Sequence, residues 1–348
     1  MIPAHTSLAR LMAETVMTLL AGLAGGAAFH AAGLPVPWLS GALTVVAALA
    51  MAGAPIRMPN NLKDLGFLVA GVSLGSTVTP EAVATIQRYP VSIIGLLVSV
   101  VATVALSKTI LERIFGWDRP TAFLAAVPGA LSMVMALAAE SSGDVRRIAV
   151  CQAIRLFTLV AIMPLLITAT TAPVPAIEHP VVSPGGMAVM FGLTFVVAAF
   201  MSRFNFANPM FLGGMVTGTL LHVTGAIPGE LPPFLSIAGM LMIGVFSGVR
   251  FVGTTPRDLA AIFKPALAAL SAALLVSLAF GIFVHWSTGL KLAEVLVAFA
   301  PGGVEAMIMM GAAMGLDTLY ISTHHVIRSV ALNLVTPFFA PGRKDRIG

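Results

Sequence analysis

Two stretches decide how this 348-residue chain is built: 127-VPGALSMVMALAAESSGDVRRIAVCQAIRLFTLVAIMP-164 and 300-APGGVEAMIMMGAAMGLDTLYISTHHVIRSVALNLVTP-337. They align without gaps at an offset of 173, with nine of 38 positions identical. The identities include Pro128/Pro301, Gly129/Gly302, Asp144/Asp317, Arg155/Arg328 and Pro164/Pro337. In so apolar a chain shared Leu or Ala would mean little, whereas shared Pro, Asp and Arg mark an internal duplication. The match continues upstream, where Pro37 and Gly41 correspond to Pro209 and Gly213, and Gly66, Gly71 and Gly75 to Gly239, Gly244 and Gly248. Residues 1–172 and 173–348 therefore read as a first and a second membrane repeat.

The composition fixes the solvent. Hydrophobic residues make up 58% of the chain and charged residues 9%, against about 25% charged in soluble domains. A spanning helix needs ~20 mostly apolar residues, and such windows recur at 12–30, 91–107, 148–170, 187–201 and 265–285. The class is an all-α polytopic membrane protein. Arg10 before an apolar run ending in GGAAFHAAG resembles a signal peptide, but Glu14 opens that run and the run has a counterpart in the second copy. It reads as the first membrane helix. The net charge of +5 belongs to cytoplasmic loops rather than to a nucleic-acid surface. Cys151, the only cysteine, excludes a disulfide or a thiolate metal cluster within one chain.

Charge also decides how the copies face. If all six apolar segments of each copy spanned, giving twelve spans, the copies would be parallel. The loop with Arg250, Arg257 and Lys264 would then lie opposite those with Arg57/Lys63 and Lys108/Arg113/Arg119. That breaks the positive-inside tendency. If the Pro-Gly segment of each copy instead dips in and returns, about ten spanning helices remain. The copies are then inverted, and all these loops become cytoplasmic, with Arg146/Arg147, Arg203 and the tail Arg343/Lys344/Arg346. Arg88 and Lys291 are left outside. Inverted repeats with broken helices are a transporter architecture, with the site where the repeats meet.

Each motif runs Pro-Gly, small residues, Asp, and Arg eleven residues later. Eleven residues are about three helical turns, ~16 Å, so a helix starting at Asp at the surface carries its Arg near the middle of the ~30 Å core. An Arg at that depth faces a cavity, an anion, a carboxylate or helix-end carbonyls. Asp144 and Asp317 suit helix N-caps as well as proton or cation binding. Glu305, opposite Ser132 in the alignment, could titrate in a desolvated site or neutralise Arg328. His324 and His325 replace Cys151 and Gln152; adjacent helical side chains diverge by about 100°, which favours interhelical hydrogen bonding or pore lining over a metal. The cluster Met307, Met309, Met310 and Met314 suits flexible packing better than copper. The expected substrate-binding set is Pro128, Gly129, Ser132, Asp144, Gln152 and Arg155 with Pro301, Gly302, Gly303, Glu305, Asp317, His325 and Arg328. No cofactor is expected, and no Walker, dinucleotide, HExxH or GxSxG motif occurs.

On the two quoted motifs, with PVPWLSGAL and LGFLVAGVSLG upstream, the chain resembles the AbrB-type integral membrane family, whose members carry a duplicated membrane domain. The resemblance covers nearly the whole chain. Members are labelled regulators of gene expression or ammonia monooxygenases, and share only a name with the small DNA-binding AbrB proteins. The resemblance thus implies a regulator, or less readily a metalloenzyme, for which these residues supply no ligand set. The residues themselves point to a secondary transporter of a small, anionic solute in the bacterial inner membrane. Its partners are the lipid bilayer and a small-molecule or ion substrate, without direct nucleic-acid contact; self-association is compatible with the sequence. Ala130 for Gly303 and Ser132 for Glu305 argue against a symmetric site.

Overall fold

Apolar runs punctuated by Pro and Gly give fourteen helices in the computed structural model, which describes residues 8–78, 89–129, 131–168, 180–204, 206 and 208–339. In the first copy these are α1 (Leu8–Ala31), α2 (Pro37–Met51), α3 (Asn60–Gly75), α4 (Tyr89–Arg113), α5 (Arg119–Ala126), α6 (Leu131–Glu140) and α7 (Val145–Thr168). The second copy repeats the order as α8 (Pro184–Ser202), α9 (Pro209–Val223), α10 (Pro233–Val249), α11 (Pro256–Thr288), α12 (Leu292–Phe299), α13 (Val304–Ala313) and α14 (Thr318–Phe339). α1, α4, α7, α8 and α11 are long and apolar enough to cross a bilayer. The chain is an all-α, multi-pass membrane protein. The 8-residue and 10-residue helices flanking each Pro-Gly break are each too short to span a core of ~30 Å at 1.5 Å per residue.

Two compact units form, and neither coincides with one sequence copy. The first contains α1–α3 and α8–α10, the opening three helices of each copy. Its helices approach closely at glycine: a Cβ on Gly71 would sit 2.1 Å from the carbonyl oxygen of Phe211, and one on Gly25 would sit 2.3 Å from that of Gly41. Backbone-to-backbone contact of this kind is how membrane helices gain packing energy without a hydrophobic drive. α2 and α9 both start with Pro after a residue in the left-handed region, Val36 and Asn208. The same uncommon backbone at corresponding positions is a structural mark of the repeat. Lys63 and Arg250 both lie over the Phe246 ring, so the loops bearing them share one side. A parallel twelve-span arrangement would have separated them.

The second unit gathers α4–α7 and α11–α14, apart from the short stretch Ala312–Met314. The backbone NH of Asp144, just before α7, donates to Thr121 Oγ1 in the first turn of α5 at 2.7 Å. The α5–α6 segment therefore leaves and returns to the same surface. In the second copy the NH of Asp317, before α14, donates to Glu294 Oε1 in the first turn of α12 at 3.4 Å. That segment is re-entrant too. Ser92 near the start of α4 bonds Tyr320 near the start of α14, and Arg146 pairs with Asp258 where α7 and α11 begin. These contacts put the start of α5 and the start of α12 on opposite faces. Lys108, Arg113, Arg119, Arg146, Arg147, Arg257 and Lys264 gather at the α5 face, while among the described residues of this unit only Lys291 marks the other. The positive-inside tendency predicts that the α5 face is the cytoplasmic one.

With Cys151 replaced by Ala, cysteines at Arg113 and Ser142 should react with an impermeant maleimide from the cytoplasmic side only, and cysteines at Ser287 and Ala313 from the outside only. Labelling of Arg113→Cys and Ser142→Cys from opposite sides would show that α5–α6 crosses the membrane.

Candidate functional site

The two breaks meet inside the second unit. Gly129 has φ +78°, a region where a side chain is strained, and a Cβ there would lie 3.8 Å from the carbonyl oxygen of Gly302. Gly303 lies against the side chain of Leu156 from α7 and close to the Glu305 carboxylate. Pro128-Gly129 and Pro301-Gly302-Gly303 thus form one crossing of two interrupted helices. Such backbone is tolerated within a membrane only when protein satisfies its polar groups.

Satisfaction comes from the two arginines. α5 ends with carbonyls that its own helix leaves without donors. Arg155 donates to the carbonyl of Val127 at 2.9 Å and to that of Ala125 at 3.4 Å. Gln152, one turn earlier on α7, donates through Nε2 to Leu124 and Val127 at 3.1 and 2.9 Å and accepts from Arg155 through Oε1. The second copy repeats the device. Arg328 donates to the carbonyls of Ala300 and Gly302 at 2.5 and 2.8 Å. His325 takes the part of Gln152, its Nδ1 2.7 Å from Arg328 Nη2 and its Nε2 3.0 Å from the Val297 carbonyl. A guanidinium only donates, so Nδ1 is the acceptor and Nε2 carries the proton, which makes His325 neutral. All four side chains are buried, Arg328 being 2% exposed. A cation at a helix C-terminus also offsets the negative end of the helix dipole.

The other predicted site residues separate. Asp144 and Asp317 stay at the two surfaces, each accepting the backbone NH three residues on, from Arg147 at 3.0 Å and from Tyr320 at 2.9 Å. They are helix caps about 16 Å along their helices from the arginines. Asp144 is also paired with Arg147 at 3.2 Å. Burial raises the Asp317 carboxyl above its ordinary range; the nearby Glu294 adds to this, while the hydrogen bond to Tyr320 and the charge of Lys291 oppose it. Glu305 is buried in the first turn of α13 beside the crossing. The side chain of Ser132, and Ala130, lie outside the described residues.

His324 makes the interhelical hydrogen bond expected of it, with Ser92 and Tyr320 as partners that the sequence reading did not single out. His324 Nδ1 donates to the Tyr320 carbonyl at 2.8 Å, Ser92 Oγ lies 2.8 Å from His324 Nε2, and the Tyr320 hydroxyl lies 2.5 Å from Ser92 Oγ. With Nδ1 protonated, Ser92 donates to Nε2 and accepts from Tyr320. Tyr89 packs edge-on against Tyr320 and His324. The chain has only two tyrosines, and that scarcity was the available signal.

A family model described as "Transition state regulatory protein AbrB" matches residues 38–342. The chain belongs to the AbrB family. It is also 24% identical over 349 residues to "Uncharacterized protein YhjN" of Bacillus subtilis (strain 168), covering 91% of this chain and 90% of that protein. The family match spans both breaks, both arginines and all residues of the crossing.

The caps give a stability test. Arg328→Ala removes the donor to Gly302, and a buried acceptor left unpaired costs roughly 1–3 kcal/mol. Arg155→Ala should cost less, because Gln152 still donates to Val127. His325→Gln should unfold close to wild type, since Gln performs that role in the other copy, whereas His325→Leu should approach Arg328→Ala. Thermal unfolding in detergent ranks the four.

Proposed function

We propose that this AbrB-family protein is a secondary transporter of a small anionic solute, bound where the two Pro-Gly breaks cross. The observation that carries the reading is the approach of Gly129 to Gly302 between two re-entrant segments that enter from opposite faces. Alternating access needs a site reachable from both sides, and inverted broken helices supply one. The helix ends give the sign of the solute. The carboxyl ends of α5 and α12 are taken up by Gln152, Arg155, His325 and Arg328, while the amino ends of α6 and α13 begin just past each break and favour negative charge. In this reading the buried Glu305 occupies the α13 end as the proton- or cation-binding group, and α6, with Ser132 near its start, takes the anion. Arg155 and Arg328 hold the breaks in shape rather than bind solute. We place the protein in the bacterial inner membrane.

A second reading comes from the family description, which names a regulator. It predicts ligand binding that is signalled to a partner without flux. Purified protein in liposomes, tested with a panel of small carboxylates and inorganic anions under an imposed proton gradient, separates the two. Transport predicts saturable uptake that Glu305→Gln abolishes while its unfolding temperature stays near wild type. Uptake equal to empty liposomes across the panel, together with an anion that raises the unfolding temperature, supports the regulator instead.

A further inference from the structure

A groove of about 790 Å³ runs along the second unit between α4, α5 and α14. This is within the ~300–1,000 Å³ range of ligand pockets. One face of α4, from Leu97 through Val101 and Val104 to Lys108, forms its floor. Leu97 and Lys108 are eleven residues apart, ~16 Å along the helix, close to the ~15 Å hydrocarbon depth of one leaflet. The walls are apolar over that length. Basic charge is confined to one end, where Lys108 and the exposed Arg119 both line the groove. That end is the cytoplasmic face defined by Arg113, Arg119, Arg146 and Arg147. Lys108 also pairs with Glu112 at 3.3 Å, on the same helix. The groove also reaches Val127, whose carbonyl carries the Arg155 and Gln152 cap.

We infer that this groove is a binding site for one anionic phospholipid of the cytoplasmic leaflet, its phosphate on Lys108 and Arg119 and an acyl chain along α4 toward Val127. Three features select this occupant. The apolar length matches a leaflet, the only basic groups sit at headgroup level, and basic pockets between helices on the cytoplasmic side suit acidic headgroups. The bound chain braces Val127, so the lipid supports the first break from the membrane side. This inference stands apart from the transport reading, and either can fail alone.

The test is native mass spectrometry of the full-length, delipidated protein titrated with dioleoyl phosphatidylglycerol or dioleoyl phosphatidylcholine. Phosphatidylglycerol should bind more tightly, by roughly fivefold for each basic residue engaged. Arg119→Gln should lose about one such factor. The pair Lys108→Gln/Glu112→Gln, which strands no carboxylate, should lose the other. Val104→Trp should fill the groove and weaken both lipids, with unfolding in lipid-free detergent unchanged. Equal affinity of the two lipids for wild type, or an unaltered preference in Arg119→Gln, overturns the site. So does a disulfide-linked dimer formed through Val101→Cys in native membranes with Cys151 replaced, because a second copy would then cover the groove.

Discussion

Breaking a helix inside a bilayer exposes carbonyls that neither water nor lipid can satisfy, and the second unit is organised around meeting that demand. Each re-entrant segment stops after eight residues, and its last carbonyls point into the protein. A long donor from a neighbouring helix has to reach them. Arg155 and Arg328 do so from the middle of α7 and α14, each steadied by the residue three positions earlier. An Arg at that depth costs at least ~2.5 kcal/mol on the mildest insertion scale, a cost set against several carbonyls that would otherwise stay unpaired. The Pro-Gly, the eleven-residue gap and the Arg are therefore one device. The break creates the need, the Asp fixes where the next helix begins, and the spacing delivers the guanidinium to the break.

Much of this was legible in the sequence because it follows from charge and from rare residues. The positive-inside argument depends on counting Lys and Arg in loops, and Lys63 and Arg250 over one Phe ring show the inverted outcome directly. Pro128 and Pro301 announced the breaks because proline lacks the NH that a continuous helix needs. The destination of the arginine hydrogen bonds was not legible. Helix-end carbonyls, an anion and Glu305 all suit a guanidinium, and only the fold of α5 against α7, and of α12 against α14, selects among them. The relation of His325 to Gln152 was visible as an alignment but not as a shared task. Both present one acceptor and one donor to the same pair of partners, an equivalence of hydrogen-bonding pattern and not of residue class. Ser92 opens a buried polar stripe with Ser99, Thr103 and Ser107 at helical spacing on α4, a pattern that the sequence reading passed over.

The units themselves could not have been read from the duplication. Sequence divides the chain at 172/173, whereas packing joins the first three helices of each copy and the last four of each copy. The reason is complementarity. In the first unit α3 needs the glycine face of α9, where Gly71 and Gly75 meet the backbone of Phe211 and Met215, and that face is supplied by the other copy. Within the second unit, likewise, α4 packs antiparallel to α11, with Ser107 bonded to the Ala269 carbonyl. Each copy carries surfaces that only its inverted counterpart fits, so neither closes a core alone.

The departures from symmetry lie where two copies of one sequence would otherwise give two identical half-sites. Gln152 offers its acceptor and donor whatever the proton concentration. His325 offers the same pair only while neutral, and on taking up a proton it would turn a donor toward Arg328 in place of the acceptor that Arg328 uses. Ser132 stands where Glu305 brings a carboxylate. Both differences put the ionisable group in the second copy, on opposite sides of the same break. The first break is thus held by a neutral amide beside its arginine, and the second by an imidazole whose bonds to Arg328 and Val297 are those of the neutral ring. A crossing built this way has two arms that share one hydrogen-bonding pattern but not one chemistry, so the two breaks are not interchangeable.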